Sequence, residues 1–161
     1  MHDHEHFLRM AVQLAHDNID AGGRPFGAVV VKGNAVVATG VNEILATRDP
    51  TSHAELNALR GASQALASPD LTGCVVYASG HPCPMCLAAM RMSGITEVYF
   101  AYSNEDAAPF GLSTAAVYAE LAKPLAEQSM TFRHVPIRME SGEDLYAAWS
   151  LRQGMSRNQR R

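Results

Sequence analysis

The sequence of 161 residues has few cysteines, no strong net charge and no long apolar run. Three cysteines are too few for a disulfide framework, which favours a reducing compartment. No apolar stretch is long enough to cross a bilayer, and residues 1–6 are polar and acidic where a signal peptide is basic and then apolar. We therefore expect a cytoplasmic protein without a membrane partner.

The balance of charge argues against a nucleic-acid partner. Thirteen lysines and arginines face sixteen acidic residues, which gives a net charge of −3 and no overall attraction to phosphates. The length fits one domain over residues 1–161 that is large enough to bury a core without disulfides. We expect a globular protein whose partner is a small molecule.

Periodicity predicts a sheet covered by helices. Apolar residues at helical spacing predict a first helix over residues 4–20 and a last helix over residues 143–153. The turn at Gly33 and Asn34 separates two β-branched runs, as in a hairpin. Alternation of strands and helices is typical of an α/β fold. The predicted strands are residues 27–31, 35–41, 74–78, 95–101 and a last extended segment, 131–137.

Two short motifs carry the chemistry of the chain. The first contains His53 and Glu55, and the second contains Cys83 and Cys86 in a Pro-Cys-Pro-Met-Cys run. One imidazole and two thiolates are three tetrahedral zinc ligands, and the fourth position stays open for water as in a catalytic site. Zinc lowers the pKa of bound water from about 15.7 towards about 7. Glu55 is the expected proton carrier beside that water, because it is near the metal without binding it.

Both motifs are expected at helix N-termini. Thr51 and Ser52 are N-cap candidates, so that His53 and Glu55 lie in a first helical turn. Prolines on both sides of Cys83 indicate a second helix that begins at the cysteines. The positive ends of two helices would help to keep both thiols ionised.

The same residues also permit a structural zinc clip, with Cys74 or His81 as a fourth ligand, or a redox pair of cysteines. Cys74 lies in an apolar run that is typical of a buried strand, where cysteine acts as a small hydrophobic residue. Asn42 follows a predicted strand and is either a turn residue or a substrate ligand. Phe26 either packs in the core or covers a flat substrate.

At the cysteine motif the chain resembles the cytidine-deaminase-like superfamily. His-x-Glu followed by Pro-Cys-x-x-Cys is the signature of zinc nucleobase deaminases. The relevant branch holds bacterial guanine deaminases and other nucleoside deaminases, cytosine deaminases of the fungal type and tRNA adenosine deaminases. The similarity to guanine deaminases rests on residues 24–28, 53–55, 83–86 and 106–108, Tyr118, Ala148 and Trp149.

The resemblance implies a three-layer α/β/α sandwich with a mixed five-stranded sheet and one Zn²⁺ per subunit. It also implies a homodimer in which residues 141–161 can swap onto the partner's active site. In the substrate pocket, Asn42 is expected to hydrogen-bond the base and Phe26 to stack on it. The backbone beside Ala54 is expected to contact its carbonyl, while Glu55 moves protons.

The chain departs from the guanine deaminase pattern at the positions that read the substrate. Leu112, Ser113 and Thr114 replace a Phe-Asp-Asp stretch whose acid reads the purine edge, and His81 replaces a glutamate before Pro-Cys. A hydroxyl hydrogen-bonds the N–H groups of a base less strongly than a carboxylate does. Ser113, Thr114 and His81 therefore join the candidate substrate-binding residues.

The resulting hypothesis is a zinc-dependent hydrolytic deaminase of a nucleobase or nucleoside, with guanine or a related aminopurine favoured. Cytosine, a pterin or a triazine is the alternative substrate. A tRNA adenosine deaminase would share the metal site but needs a basic groove for its RNA. A non-enzymatic structural zinc domain is the alternative from another class, and it predicts that loss of the Glu55 carboxylate has almost no effect.

Overall fold

Two strands that are buried on both faces form the centre of the fold. The computed structural model describes residues 3–140 and 142–158. The central strands are β1 (Gly27–Lys32) and β3 (Cys74–Gly80), with β2 (Ala35–Val41) and β4 (Glu97–Tyr102) outside them. The order is β2-β1-β3-β4, in which β1 is antiparallel to both neighbours and β3 is parallel to β4. The sheet is therefore mixed, as predicted.

The helices follow the predicted positions closely. The first helix occupies the residues that its apolar spacing indicates, and its N-cap Asp3 accepts a hydrogen bond from the backbone N–H of His6 at 3.0 Å. The helix that follows each metal motif begins within one residue of a ligand. The helices are α1 (His4–Asp20), α2 (Ile44–Thr47), α3 (Ala54–Ala65), α4 (Pro84–Met92), α5 (Asn104–Ala107), α6 (Ala115–Leu121) and α7 (Leu145–Asn158).

Alternate residues of β1 point to opposite faces of the sheet and so divide the core in two. Ala28 and Val30 pack in a cluster with residues of α3 and α4, whereas Val29 and Val31 pack in a second cluster with residues of α1. Helices therefore cover both faces of the sheet. The predicted three-layer α/β/α sandwich is confirmed.

The prediction of a fifth strand is wrong. Within the described residues the sheet has four strands, and residues 131–137 adopt no regular secondary structure. Phe132 and Val135 in this segment remain 73% and 70% exposed. Apolar alternation indicates a strand only where a neighbouring backbone supplies hydrogen bonds, and no strand among the described residues pairs with the segment.

The chain divides into two compact units, Met1–Lys123 and Pro124–Arg161. The sandwich belongs to the first unit. The second contains a short 3₁₀ turn, Leu125–Glu127, and α7, which begins where the carboxylate of Asp144 accepts hydrogen bonds from the N–H groups of Tyr146 and Ala147. The single domain over residues 1–161 stays a prediction. The expected swap of residues 141–161 also stays a prediction, and it falls partly outside the described residues.

The sequence predicts no membrane-spanning helix, because it contains no apolar run of sufficient length. Within residues 3–140 and 142–158, no helix combines the length and the apolar character that a membrane span requires.

Close packing of β2 on α3 fixes the start of the first metal motif. A Cβ atom at Gly40 would lie 2.3 Å from the carbonyl oxygen of Ala54 and 2.5 Å from the backbone N of Ala58. Only glycine permits this approach, because backbone atoms cannot move aside as a flexible side chain can. Gly40 thus lets the first turn of α3 lie directly on the sheet.

We predict that Gly40→Ala lowers the free energy of unfolding by about 2–3 kcal/mol, since the methyl group must push α3 away from β2. Urea unfolding of the whole protein measures the change. Gly154→Ala in the exposed α7 is the control, because it has open space around it and adds up to about 1 kcal/mol of helix propensity. Equal midpoints for Gly40→Ala and the unmodified chain would contradict the close approach.

Candidate active site

His53 stands at the N-cap of α3, with extended backbone angles of φ −79° and ψ 153°. The sequence placed the cap at Thr51 or Ser52, and this detail is wrong. The hydroxyl of Ser52 accepts a hydrogen bond from the side-chain amide of Asn57 at 3.1 Å instead. The imidazole makes no capping hydrogen bond and is therefore available to bind a metal.

Cys83 occupies the equivalent N-cap position of α4, and Pro84 is the first residue of that helix. The fixed φ of proline favours a helix start, and its missing N–H costs nothing there. Cys86 follows in the first turn and is fully buried. This confirms the prediction of a second helix that begins at the cysteines.

The three predicted ligand atoms form a nearly equilateral triangle. Nδ1 of His53 lies 3.5 Å from Sγ of Cys83 and 3.5 Å from Sγ of Cys86, and the two sulfurs are 3.5 Å apart. Tetrahedral zinc binds nitrogen and sulfur at about 2.0–2.3 Å, which separates neighbouring ligand atoms by about 3.6–3.8 Å. The triangle therefore fits Zn²⁺ in both donor type and size.

Hydrogen bonds prepare the first thiol for metal binding. Bonds from Cys86 and from His53 lower the pKa of Cys83 to about 4. The bond with Cys83 raises the pKa of His53, because the charged imidazole faces a thiolate. The bond to Cys83 and burial raise the pKa of Cys86, so one proton stays on this thiol until a metal displaces it.

Glu55 lies in the first turn of α3 with only 6% of its surface exposed. Its Oε2 is 3.6 Å from Sγ of Cys86. Burial is the main cause that raises the pKa of the Glu55 carboxyl group. A carboxyl group that is beside the metal ligands and favours protonation is suited to take up and return a proton.

The ligand group has three protein members within the described residues. Cys74, the alternative fourth ligand, is buried at the start of β3 and packs in the core. His81, the other alternative, stacks on Phe100 with ring centroids 4.6 Å apart. Three ligands beside a buried carboxyl group match the open zinc site of an enzyme better than a closed structural site.

A pocket of about 200 Å³ opens beside His53, Glu55 and Cys83. Most of the predicted substrate-binding residues lie in its wall. Ala54 does not: it is fully buried in the first turn of α3. The predicted residues that line the pocket are Phe26, Asn42, His81, Ser113 and Thr114.

Asn42 is a turn residue, one of the two roles that the sequence left open, and it also lines the pocket. Its Oδ1 accepts a hydrogen bond from the N–H of Ile44 at 3.2 Å, which forms a turn. This leaves the side-chain NH₂ as the group that Asn42 can offer to a substrate. The residue is 4% exposed and lines the pocket.

Asn18 in α1 ties two pocket segments together. Its side-chain NH₂ donates to the carbonyl of Arg24 at 2.7 Å and to the carbonyl of Asn42 at 2.9 Å. Both hydrogens are thus used, and they fix the backbone next to Phe26 and at the end of β2. Sequence reasoning missed Asn18, since a lone asparagine in a helix carries no signal.

Sequence reasoning also missed Gly111, and it named Arg24 and Leu112 without making them substrate-binding candidates, although all three line the pocket. The sequence could have indicated Arg24 as a pocket residue, because it belongs to the same run as Phe26. Tyr118 in α6 was noted only for the resemblance. Its hydroxyl donates to the carbonyl of Pro82, immediately before Cys83. This bond joins α6 to the metal-binding loop.

A larger pocket of about 500 Å³ lies beside the first and shares Phe26, His81 and Leu112 with it. Its remaining wall is mostly apolar and comes from α1, from the ends of β3 and β4, and from residues 103–110. It contains none of the three ligand residues or Glu55. The smaller pocket is therefore the candidate active site.

The fold and the site together are typical of a zinc-dependent hydrolase in which the protein supplies three of the four metal ligands. Comparison with known proteins agrees: the family model described as "Cytidine and deoxycytidylate deaminase zinc-binding region" matches residues 1–102. The chain belongs to this deaminase family, and it is a hydrolytic deaminase that acts on C–N bonds.

Similar proteins include the guanine deaminase of Bacillus subtilis, which is 41% identical over 136 residues, or 84% of this chain and 87% of that protein. Its crystal structure has a TM-score of 0.82 at 39% identity and covers 92% of this chain and 94% of its own. A tRNA-specific adenosine deaminase of Aquifex aeolicus is 28% identical over 85% of this chain and 88% of that protein. A structure in complex with 2,6-diaminopurine has a TM-score of 0.65 at 30% identity, covering 69% and 62% of the two chains.

We predict that Asn18→Asp destabilises the protein by about 1–3 kcal/mol, because a carboxylate faces two carbonyl oxygens where the amide donated to both. It should also raise KM, since the pocket backbone at Arg24 and Asn42 loses its common anchor. Thermal unfolding and steady-state kinetics measure the two effects.

Gln13→Glu is the control for Asn18→Asp, because Gln13 is an exposed amide of the same helix that bonds only to Asp17 in the described structure. A surface change of this kind alters stability by about 0.5 kcal/mol or less. If the two variants unfold alike, Asn18 has no anchoring role.

Proposed function

We propose that the protein hydrolyses the exocyclic amino group of a free nucleobase or nucleoside, with guanine or a related 2-aminopurine as the lead substrate. The observation that carries the proposal is the triangle of His53, Cys83 and Cys86 beside the buried Glu55, open to a pocket. The similarity to a guanine deaminase over most of both chains supports the purine assignment.

Each group in the site has a proposed task. A bound zinc ion supplies Lewis-acid activation of a water molecule at neutral pH. Glu55 accepts a proton from the attacking water and returns it to the leaving nitrogen. The ring carbon gains a C–O bond, its C–N bond breaks, and ammonia leaves.

Phe26 and Asn42 hold the base during this reaction. The ring of Phe26 covers one face of the flat substrate. The side-chain NH₂ of Asn42 donates to an acceptor of the base, because its oxygen is already used in the turn with Ile44. Since both residues are attached to Asn18 through the backbone of their segments, the base is oriented before the reaction begins.

Two other substrate classes remain in the proposal as alternatives. Cytosine, a pterin or a triazine also carries an amino group on an electron-poor ring carbon, and hydroxyl side chains at Ser113 and Thr114 do not select a purine. A tRNA adenosine deaminase is supported by the similarity to such enzymes but is opposed by the net charge of −3.

We further propose that the protein works as a cytoplasmic homodimer. Within the second unit, Phe132, Ile137 and Trp149 are 73%, 73% and 63% exposed. β4 has no strand on its outer side in the described residues. A second copy of the chain would cover such apolar surface. The three free cysteines agree with a reducing compartment.

Ammonia release from zinc-loaded protein tests the proposed reaction. We predict turnover of at least one member of a panel of guanine, cytosine, a pterin, a triazine and adenosine-containing tRNA. Glu55→Ala should reduce turnover by about 10²–10⁴-fold, the usual contribution of general acid–base catalysis. Zinc content by atomic absorption should stay at one ion per chain, because Glu55 is outside the ligand group.

Two results would contradict the reaction. A Glu55→Ala protein with undiminished turnover would remove Glu55 from the mechanism. A protein that binds zinc but releases ammonia from no compound in the panel would favour the structural zinc domain. His53→Ala is the matched ligand variant, and it should lose zinc as well as turnover.

Sedimentation of the full chain tests the homodimer. We predict a particle of twice the 17.4 kDa chain mass, and Trp149→Glu should shift the protein towards monomer because a charge replaces an apolar contact. Leu45→Glu is the control, since Leu45 in α2 is similarly exposed at 60%. Identical sedimentation of both variants would count against the second unit as the dimer contact.

A further inference from the structure

The wall of the active-site pocket carries hydrogen-bond donors and one cation. Among the described residues that line it, Glu55 is the only acidic one, and it belongs to the proposed catalytic group beside the metal ligands. The polar side chains of the remaining wall are Arg24, Asn42, His81, Ser113 and Thr114. No carboxylate of this wall, other than Glu55, meets the substrate.

The two hydroxyl residues differ in what they can offer. Thr114 is committed to Asn104, whose Oδ1 accepts from the N–H of Thr114 at 3.1 Å and from its hydroxyl at 3.4 Å. The hydroxyl of Ser113 keeps a free hydrogen, because its oxygen only accepts a hydrogen bond, from the N–H of Ala115 at 3.2 Å. Ser113 therefore presents a donor that a substrate oxygen or ring nitrogen can meet.

Arg24 supplies the positive charge of the wall. It pairs with no acidic side chain in the described part of the chain. Asn18 holds the backbone of Arg24 through its carbonyl, and the residue is exposed at the pocket wall. A guanidinium with free donors binds carboxylates in a bidentate manner.

Asn42 extends the same pattern. Its oxygen is used by the N–H of Ile44, which leaves its NH₂ for the pocket. Three groups of the wall thus offer hydrogen to a ligand, and one of them also offers a full positive charge. A ligand that presents oxygen atoms and negative charge satisfies all three, whereas a ligand that presents N–H groups leaves them unpaired.

We infer that the pocket selects an amino-heterocycle that carries an anionic substituent, such as a ring carboxylate, bound by Arg24 with an acceptor atom placed at Ser113. The inference rests on the proposed deaminase function, and within that function it favours an anionic heterocycle over guanine as the preferred substrate. Guanine would then be a slower substrate than an amino-heterocycle of comparable size with a carboxylate on the ring.

Matched substrates that differ by one carboxylate test the inference. The pairs are pterin with pterin-6-carboxylate, and cytosine with 5-carboxycytosine. In at least one pair, we expect kcat/KM to be about tenfold higher for the compound with the carboxylate. A hydrogen bond between charged groups contributes enough free energy for a difference of this size. Arg24→Gln should abolish this ratio, and Ser113→Asp should invert it by placing a second negative charge in the pocket.

The control for Arg24→Gln is Arg91→Gln, which removes one positive charge from the last turn of α4, away from the pocket lining. It should leave the ratio unchanged. A ratio near one for both pairs in the unmodified protein would overturn the inference, as would a ratio that survives Arg24→Gln.

Binding measurements separate this inference from the proposed reaction. Calorimetric titration of zinc-loaded Glu55→Ala with pterin-6-carboxylate and pterin reports selection by the pocket without any turnover. The inference is supported if pterin-6-carboxylate binds more tightly than pterin and if added salt and Arg24→Gln both weaken its binding. This holds even if no compound is deaminated. Equal binding of the two compounds overturns it even if guanine is deaminated.

Discussion

The start of two helices at one point is the constraint on which the rest of the structure depends. Three ligand atoms must lie about 3.5 Å apart, and they come from residues 30 and 33 positions distant in the chain. β1 and β3 provide the rigid support, because both are buried on each face. α4 leaves the end of β3, and α3 rests on β2 through Gly40. Any shift of either helix would open the triangle.

Much of this arrangement is predictable from the sequence because it depends on local patterns. Helical spacing of apolar residues locates α1 correctly, and the prolines beside Cys83 indicate the start of α4. The ligand residues follow from chemistry alone, since few residue types bind zinc. The three layers follow from the alternation of helices and strands together with the family resemblance.

The remaining features depend on contacts that no local pattern encodes. Residues 131–137 have strand composition, but a strand forms only when another backbone pairs with it, and none does so in the part of the chain that the structure describes. The cap of α3 falls at His53, whereas capping preferences alone point to Thr51 or Ser52, and the Ser52 hydroxyl bonds the side chain of Asn57 instead. Asn18 acts on the pocket only through tertiary hydrogen bonds to the carbonyls of Arg24 and Asn42, so its position in the sequence carries little information.

The metal group and the substrate wall are built from different parts of the chain. The metal group stands on helix starts that press against the sheet, while residues 111–114 form a loop that Asn104 holds through one amide oxygen. Because this loop carries no ligand, substitutions in it can alter which compound is accepted without disturbing the hydrolytic centre. Such a division lets one catalytic apparatus acquire new substrates by small, independent steps.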